Sequence, residues 1–130
     1  MKRSLLLLVA LACTGAVAQE KQVWACQQEE GTMLNYRNGR WEQSLIVPEA
    51  LLLTIDGANS RVKEGEAERR LSCSKVDFWP EISCLTSIKD KHYYFSPDTG
   101  RLGVSSLIGA TLTGDRRDSV SAKIYNCTKF

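Results

Sequence analysis

Four cysteines, Cys26, Cys73, Cys84 and Cys127, lie beyond the first twenty residues of this 130-residue chain. They constrain its fold more than any other feature. An even number of cysteines in a short exported chain reads as a disulfide framework. The competing use, a zinc site, usually brings at least one close ligand pair such as Cys-x-x-Cys. Here the nearest two cysteines are eleven positions apart and His92 is the only histidine, so two disulfides are expected. A turn centred between Phe78 and Trp79 sets Cys73 directly opposite Cys84, and facing strand residues lie within disulfide reach. Cys26–Cys127 then ties the first clear strand to the last. The rival scheme, Cys26–Cys73 with Cys84–Cys127, makes two consecutive loops of similar length and stays open, because connectivity does not follow from sequence alone.

Export is read from the amino terminus. Lys2 and Arg3 precede an apolar run over residues 5–12, and Ala16-Val17-Ala18 puts small residues where a signal peptidase reads them. The expectation is a signal peptide over residues 1–18, a mature chain starting at Gln19, and a single β domain over residues 19–130. The apolar run is too short for a permanent span, which needs about 20 residues, and no later segment is longer. Ala10-Leu11-Ala12-Cys13 resembles the lipid-attachment motif of bacterial lipoproteins but lacks leucine three residues before the cysteine. A lipid anchor at Cys13 is therefore the alternative to cleavage after Ala18. Periplasmic or secreted localisation follows from either the leader or the cysteines.

The net charge belongs to the leader. Of 17 Lys and Arg and 15 Asp and Glu in the chain, Lys2 and Arg3 precede the cleavage site, so the mature domain carries 15 of each. A neutral domain has no general pull toward nucleic acid or anionic lipid. Arg116-Arg117 is the one local basic candidate.

The pattern along the mature chain is that of short strands. Residues 23–26 read as a strand, 27–31 as a polar turn, and 32–36 and 41–47 as a hairpin around Asn38-Gly39, the dipeptide that favours a type I′ turn. That turn sets Tyr36 opposite Trp41, Leu34 opposite Gln43 and Thr32 opposite Leu45. Tyr36, Trp41, Leu34 and Leu45 share one face, taken as the core face, on which Trp41→Ala should cost about 3–5 kcal/mol. Residues 50–55 read as a buried strand, with a helix opened by Pro48 as the alternative. Residues 59–70 are charged and read as a solvated loop or hairpin tip. Strands follow over residues 71–76, 82–88, 92–95, 102–107 with a continuation to 112, and 120–127. Between them, residues 78–81, Ser96-Pro97-Asp98-Thr99-Gly100 and residues 114–118 supply turns. The fold class expected is all-β: an antiparallel small barrel or sandwich of about eight short strands with two disulfides.

Motifs that carry chemistry are missing from the sequence. There is no Gly-x-Ser-x-Gly elbow, no phosphate-cradling loop, no His-Glu-x-x-His and no calcium loop, so no catalytic, cofactor-binding or metal-binding residue is assigned. His92 has Asp90, Ser96 and Asp98 nearby in sequence and would share a strand side with Asp90. Its plainer reading is an ordinary strand residue. Glu64, Glu66 and Glu68, if extended, would present three carboxylates to one side. Lys63, Arg69 and Arg70 flank them, so a solvated charged tip is the simpler account. Trp24, Trp41, Trp79 and four tyrosines make the chain aromatic-rich. Of these, Trp79 stands in a turn before Pro80 and is the candidate contact residue.

Trp24-Ala25-Cys26, the Arg37-Asn38-Gly39-Arg40-Trp41 turn, the Phe95–Arg101 turn and Tyr125-Asn126-Cys127 together resemble small disulfide-stapled periplasmic or secreted bacterial proteins of no assigned function. The pieces are hairpin and cysteine grammar, and the resemblance carries over no functional residue. The function expected is a non-enzymatic binding protein of the bacterial envelope, of inhibitor or immunity type, whose partner is another protein. The alternatives are a small-ligand carrier using a barrel interior and a hydrolase using His92. An interior pocket lined by Trp24, Trp41 and Tyr36 would favour the carrier, and a carboxylate bonded to His92 in a cleft would favour the hydrolase. A solid core with an exposed patch around Trp79 would favour the binding protein.

Overall fold

In the computed structural model, described over residues 20–108 and 118–130, the chain runs through nine antiparallel strands. The strands are β1 (Gln22–Arg37), β2 (Arg40–Ser44), β3 (Ala50–Ile55), β4 (Arg61–Glu64), β5 (Ala67–Lys75), β6 (Ile82–Thr86), β7 (Lys91–Ser96), β8 (Arg101–Ile108) and β9 (Ser119–Lys129). Successive strands from β3 to β9 pair as neighbours, and β1 pairs with both β3 and β9. Eight strands thus close into an antiparallel barrel. Closure removes the free edges that an open sheet would leave. The expected signal segment, Cys13, Arg116-Arg117 and the expected turn and strand extension over residues 109–117 lie outside the described residues.

Both expected disulfides are present, Cys26–Cys127 and Cys73–Cys84. Each joins residues that face one another across a strand pair. Cys26–Cys127 sits on the β1–β9 seam and so locks the pairing that closes the barrel. Two intramolecular disulfides are consistent with an oxidising compartment. Among the described residues no helix is long and apolar enough to cross a membrane.

The turns follow local chemistry. Asn38 and Gly39 take φ of 53° and 78°, the left-handed pair a type I′ hairpin needs. Gly100 has φ of 67°. Its carbonyl accepts the Cys127 N–H at 2.7 Å, and its own N–H donates to Ser96. A Cβ there would lie 2.5 Å from the Cys127 carbonyl oxygen, so both conformation and space demand glycine.

Three expectations need correction. Residues 27–31 are not a turn: β1 runs unbroken from Gln22 to Arg37, with a bulge between Gln28 and Glu30. Of the two readings of residues 59–70, the hairpin tip holds and the loop does not, but the tip is narrower than expected: β4 and β5 pair on either side of a turn at Gly65, whose φ is 59°. The third correction concerns the first hairpin. Tyr36 does face Trp41 and Leu34 does face Gln43, but this shared face is the outer one. Trp41 is 40% exposed and Leu45, beyond the end of β2, is 99% exposed. The bulge is the cause. Before it, even-numbered Trp24, Cys26 and Gln28 point into the barrel. One inserted residue shifts the phase of the alternation, so even-numbered Leu34 and Tyr36 point out.

The core is filled by side chains from all eight barrel strands. Leu53, Val62, Tyr93, Phe95, Leu102 and Tyr125 are wholly enclosed, each contributing roughly 1.5–3 kcal/mol of burial. Trp24 meets Phe95 edge to face at 4.8 Å between ring centres, an arrangement favoured by the ring quadrupoles. Toward one end of the barrel, polar side chains join this core, among them Gln28, Thr86 and Ser106.

Candidate functional site

The residues singled out in sequence go to separate places. His92 is half-buried on the outer side of β7. Its Nε2 lies 2.6 Å from Ser83 Oγ and its ring packs on Tyr94. Asp90 turns elsewhere, accepting from Arg69 at 3.0 Å and from the Thr86 hydroxyl. Glu64, Glu66 and Glu68 do not share a side. Glu64 is bonded to Lys91, Glu66 sits in the turn, and Glu68 pairs with Arg61 at 3.6 Å. Among the described residues no group of three metal-ligating side chains converges. Trp24 belongs to the core, whereas Tyr36 and Trp41 lie on the outside, so the three line no common pocket.

The barrel's two ends carry the chemistry. At one end, the inward residues of β4, β7, β9 and the segment entering β3 are charged or phenolic. Glu64 accepts from Lys91 Nζ at 2.6 Å and from the Tyr93 hydroxyl at 2.9 Å. Glu49 accepts from Lys123 Nζ and from the Tyr125 hydroxyl at 3.2 Å. The two halves are neighbours, since the Lys91 charge acts on Glu49 and the Glu64 charge acts on Tyr125. Burial pushes both tyrosines above the ordinary phenol value, and the adjacent carboxylates push them further. The phenols therefore stay protonated and act as donors. Two more polar side chains share this end. Gln28 faces Tyr125 across the β1–β9 pair, and Ser106 faces Lys91 across the β7–β8 pair. Gln28 Oε1 and Ser106 Oγ are enclosed without a hydrogen-bond partner among the described residues. Each such group costs about 1–3 kcal/mol relative to a satisfied one. Sequence reasoning missed this cluster. Its signal was polar residues at inward-phase positions of otherwise apolar strands, legible only once the barrel phase is known.

The carboxylates at this end make stability acid-sensitive. For Glu49, burial acts to raise the pKa, but the Lys123 hydrogen bond and charge, the Tyr125 hydroxyl and the Lys91 charge together hold it below 4.5. For Asp90, burial is likewise outweighed by Thr86 and Arg69, which hold it below 3.8. A carboxylate held low in the folded state stabilises fully above its unfolded pKa, and that contribution drains away as pH falls through the folded one. Urea unfolding midpoints should therefore be flat from about pH 7 to 5 and fall below about pH 4. A midpoint unchanged at pH 3 would contradict the pairing.

At the opposite end, β5 and β6 finish in the turn over residues 76–81. The last ladder pair is Lys75 with Ile82. Val76 N–H then donates to the Glu81 carbonyl at 2.9 Å, and Trp79 N–H to the Val76 carbonyl at 3.2 Å. Phe78 has φ of 67°, a left-handed conformation that bulky residues rarely adopt. Its side chain is fully exposed, and neighbouring Trp79 is 66% exposed. The Cys73–Cys84 bond clamps the two strands behind this tip. Searches against protein-family models, curated proteins and solved structures each returned no match to the chain.

Proposed function

We propose that this protein is a non-enzymatic binding module of the bacterial envelope, of inhibitor or immunity type, that docks on another protein through Phe78 and Trp79. The observation behind this reading is an exposed Phe78 held at positive φ beside an exposed Trp79. Backbone strain of this kind costs on the order of 1–3 kcal/mol and clusters at functional positions. Exposed aromatics are the commonest anchors of protein interfaces. The disulfide behind the tip and Pro80 within it limit the conformational freedom that docking would otherwise remove. Asp77 and Glu81 flank the aromatic pair, which suits an apolar cleft with a basic rim. The packed apolar core and the dispersal of Trp24, Tyr36 and Trp41 speak against a carrier of apolar ligands. Against a hydrolase using His92, Asp90 is turned to Arg69 and Thr86, so the His92–Ser83 pair has no orienting carboxylate among the described residues.

The test is capture of a partner on immobilised protein, followed by affinity measurement with Phe78→Gly and Trp79→Ala. Phe78→Gly removes the anchor and relieves the left-handed strain, so its melting temperature should hold or rise. The two substitutions together should weaken the captured partner by roughly 30-fold or more, as loss of a central aromatic anchor does. Unchanged affinity in the double variant would sink the reading.

A further inference from the structure

We propose that this protein forms a two-fold dimer through the open edge of β2, which pairs antiparallel with β2 of a second copy about Trp41. The inference goes beyond the Phe78–Trp79 reading and does not rest on it.

Barrel closure leaves β2 outside. β1 is flanked on one side by β9, and on the other by β3 and then β2. Among the described residues β2 pairs with β1 alone. An open edge offers backbone N–H and C=O groups to any strand that reaches it. The hairpin decides which groups face out. Asn38-Gly39 is a two-residue turn, so the flanking residues Arg37 and Arg40 form a hydrogen-bonded pair. Such positions alternate. Arg40, Glu42 and Ser44 therefore bond to β1, and Trp41 and Gln43 direct their N–H and C=O groups to the open side.

The face beside this edge is apolar. On the outside of the sheet, Gln43, Leu34, Val120 and Leu107 form one row across β2, β1, β9 and β8. Trp41 and Tyr36 form the next row. Trp41 is 40% exposed, Leu34 39% and Leu107 66%. Contiguous exposed apolar side chains mark an interaction surface.

Charge points to a second copy and sets the register. A self-pair must match outward backbone groups with outward groups, so its two-fold axis passes through a residue of β2. An axis at Arg40 opposes two arginines, and an axis at Glu42 opposes two glutamates; like charges directly opposite are destabilising. An axis at Gln43 calls on Leu45 and Ile46, beyond the end of β2, where Ile46 turns back toward Gly31. An axis at Trp41 sets Trp41 against its copy, with a reciprocal pair of backbone hydrogen bonds. It also sets Arg40 against the copy's Glu42 on both sides. Within the strand Arg40 already bonds Glu42 at 2.7 Å, so the four charges alternate in sign around the axis. Charges on an edge usually prevent pairing; these fit one partner.

The dimer leaves the aromatic tips free. β1 begins beside Ile55, which borders the same hollow as Cys73, Lys75 and Ile82. The β1–β2 turn therefore lies at the far end of the barrel from Phe78 and Trp79.

Sedimentation equilibrium of the full mature chain up to about 1 mM should show monomer and dimer in exchange, with the weak affinity of a small interface. Arg40→Glu and Glu42→Arg each oppose like charges across the seam. Each alone should weaken dimerisation by about tenfold or more at low salt. An equimolar mixture of the two variants again opposes acid to base at both positions and should dimerise as the wild type does. Both substitutions lie on the surface and should leave the melting temperature unchanged. Phe78→Gly with Trp79→Ala should dimerise as the wild type does. The proposal is overturned if the wild type stays monomeric at the highest concentration, if either charge variant dimerises as the wild type does, if the mixture stays monomeric, or if the tip variant loses the dimer.

Discussion

Replacing Cys26 and Cys127 together with alanine is expected to cost about 4–5 kcal/mol of stability. The bond spans 101 positions, and the entropy returned to the unfolded chain grows with the loop that is opened. It also lies on the β1–β9 seam, the one ladder that joins the two ends of the meander. Strands elsewhere are tied by short turns, so their pairing requires only local closure. The seam brings together residues from opposite ends of the described chain, and its closure is the entropically expensive step. Cys73–Cys84 spans 11 positions and should be worth less, about 3 kcal/mol on the same reasoning. Urea unfolding of the two double-alanine variants checks the order. A larger loss from Cys73→Ala with Cys84→Ala would show that the seam is held by its hydrogen bonds and packing, not by its covalent tie.

Phe95→Ala is expected to cost about 3–5 kcal/mol, whereas Trp41→Ala should cost only about 1 kcal/mol. Phe95 is wholly enclosed and packs against Trp24, with Leu102 facing it across β8. Truncation there leaves a ring-sized void among side chains whose strands are held on both sides, so the barrel cannot collapse to fill it. Trp41 is the larger ring, but it stands on the outer surface and packs edge-on with Tyr36 at 5.4 Å. Its loss removes one aromatic pair and part of its buried area. The contrast tests the placement of the bulge directly. If Trp41→Ala proved as costly as Phe95→Ala, the first hairpin would have to face inward and the phase shift at Gln28 would be misplaced.

Short-range chemistry in the sequence determined much of this protein. Asn38-Gly39 set the first hairpin and its register, because only residues tolerant of positive φ make that turn. Pro97, Asp98 and Gly100 set another. The spacing of Cys73 and Cys84 about Phe78-Trp79 favoured one disulfide and Cys26–Cys127 as its complement, but only the fold closed the rival pairing. The all-β class followed from alternation and turn frequency, and Trp79 was marked as exposed by its place before Pro80. What the sequence by itself could not decide was which side of each strand faces in. Alternation tells which residues share a face, but the choice between faces depends on what closes over them. Leu34, Tyr36 and Trp41 were grouped correctly and turned the wrong way because one extra residue near Glu29 reverses the phase, and a bulge is stabilised by its partner strand β9, almost a hundred residues away. The same limit hid the polar end. Gln28, Glu49, Glu64, Lys91, Ser106 and Lys123 each look like ordinary surface residues in their own segments. Only barrel closure brings them together on the inside, where matched charges and shared hydrogen bonds make their burial tolerable.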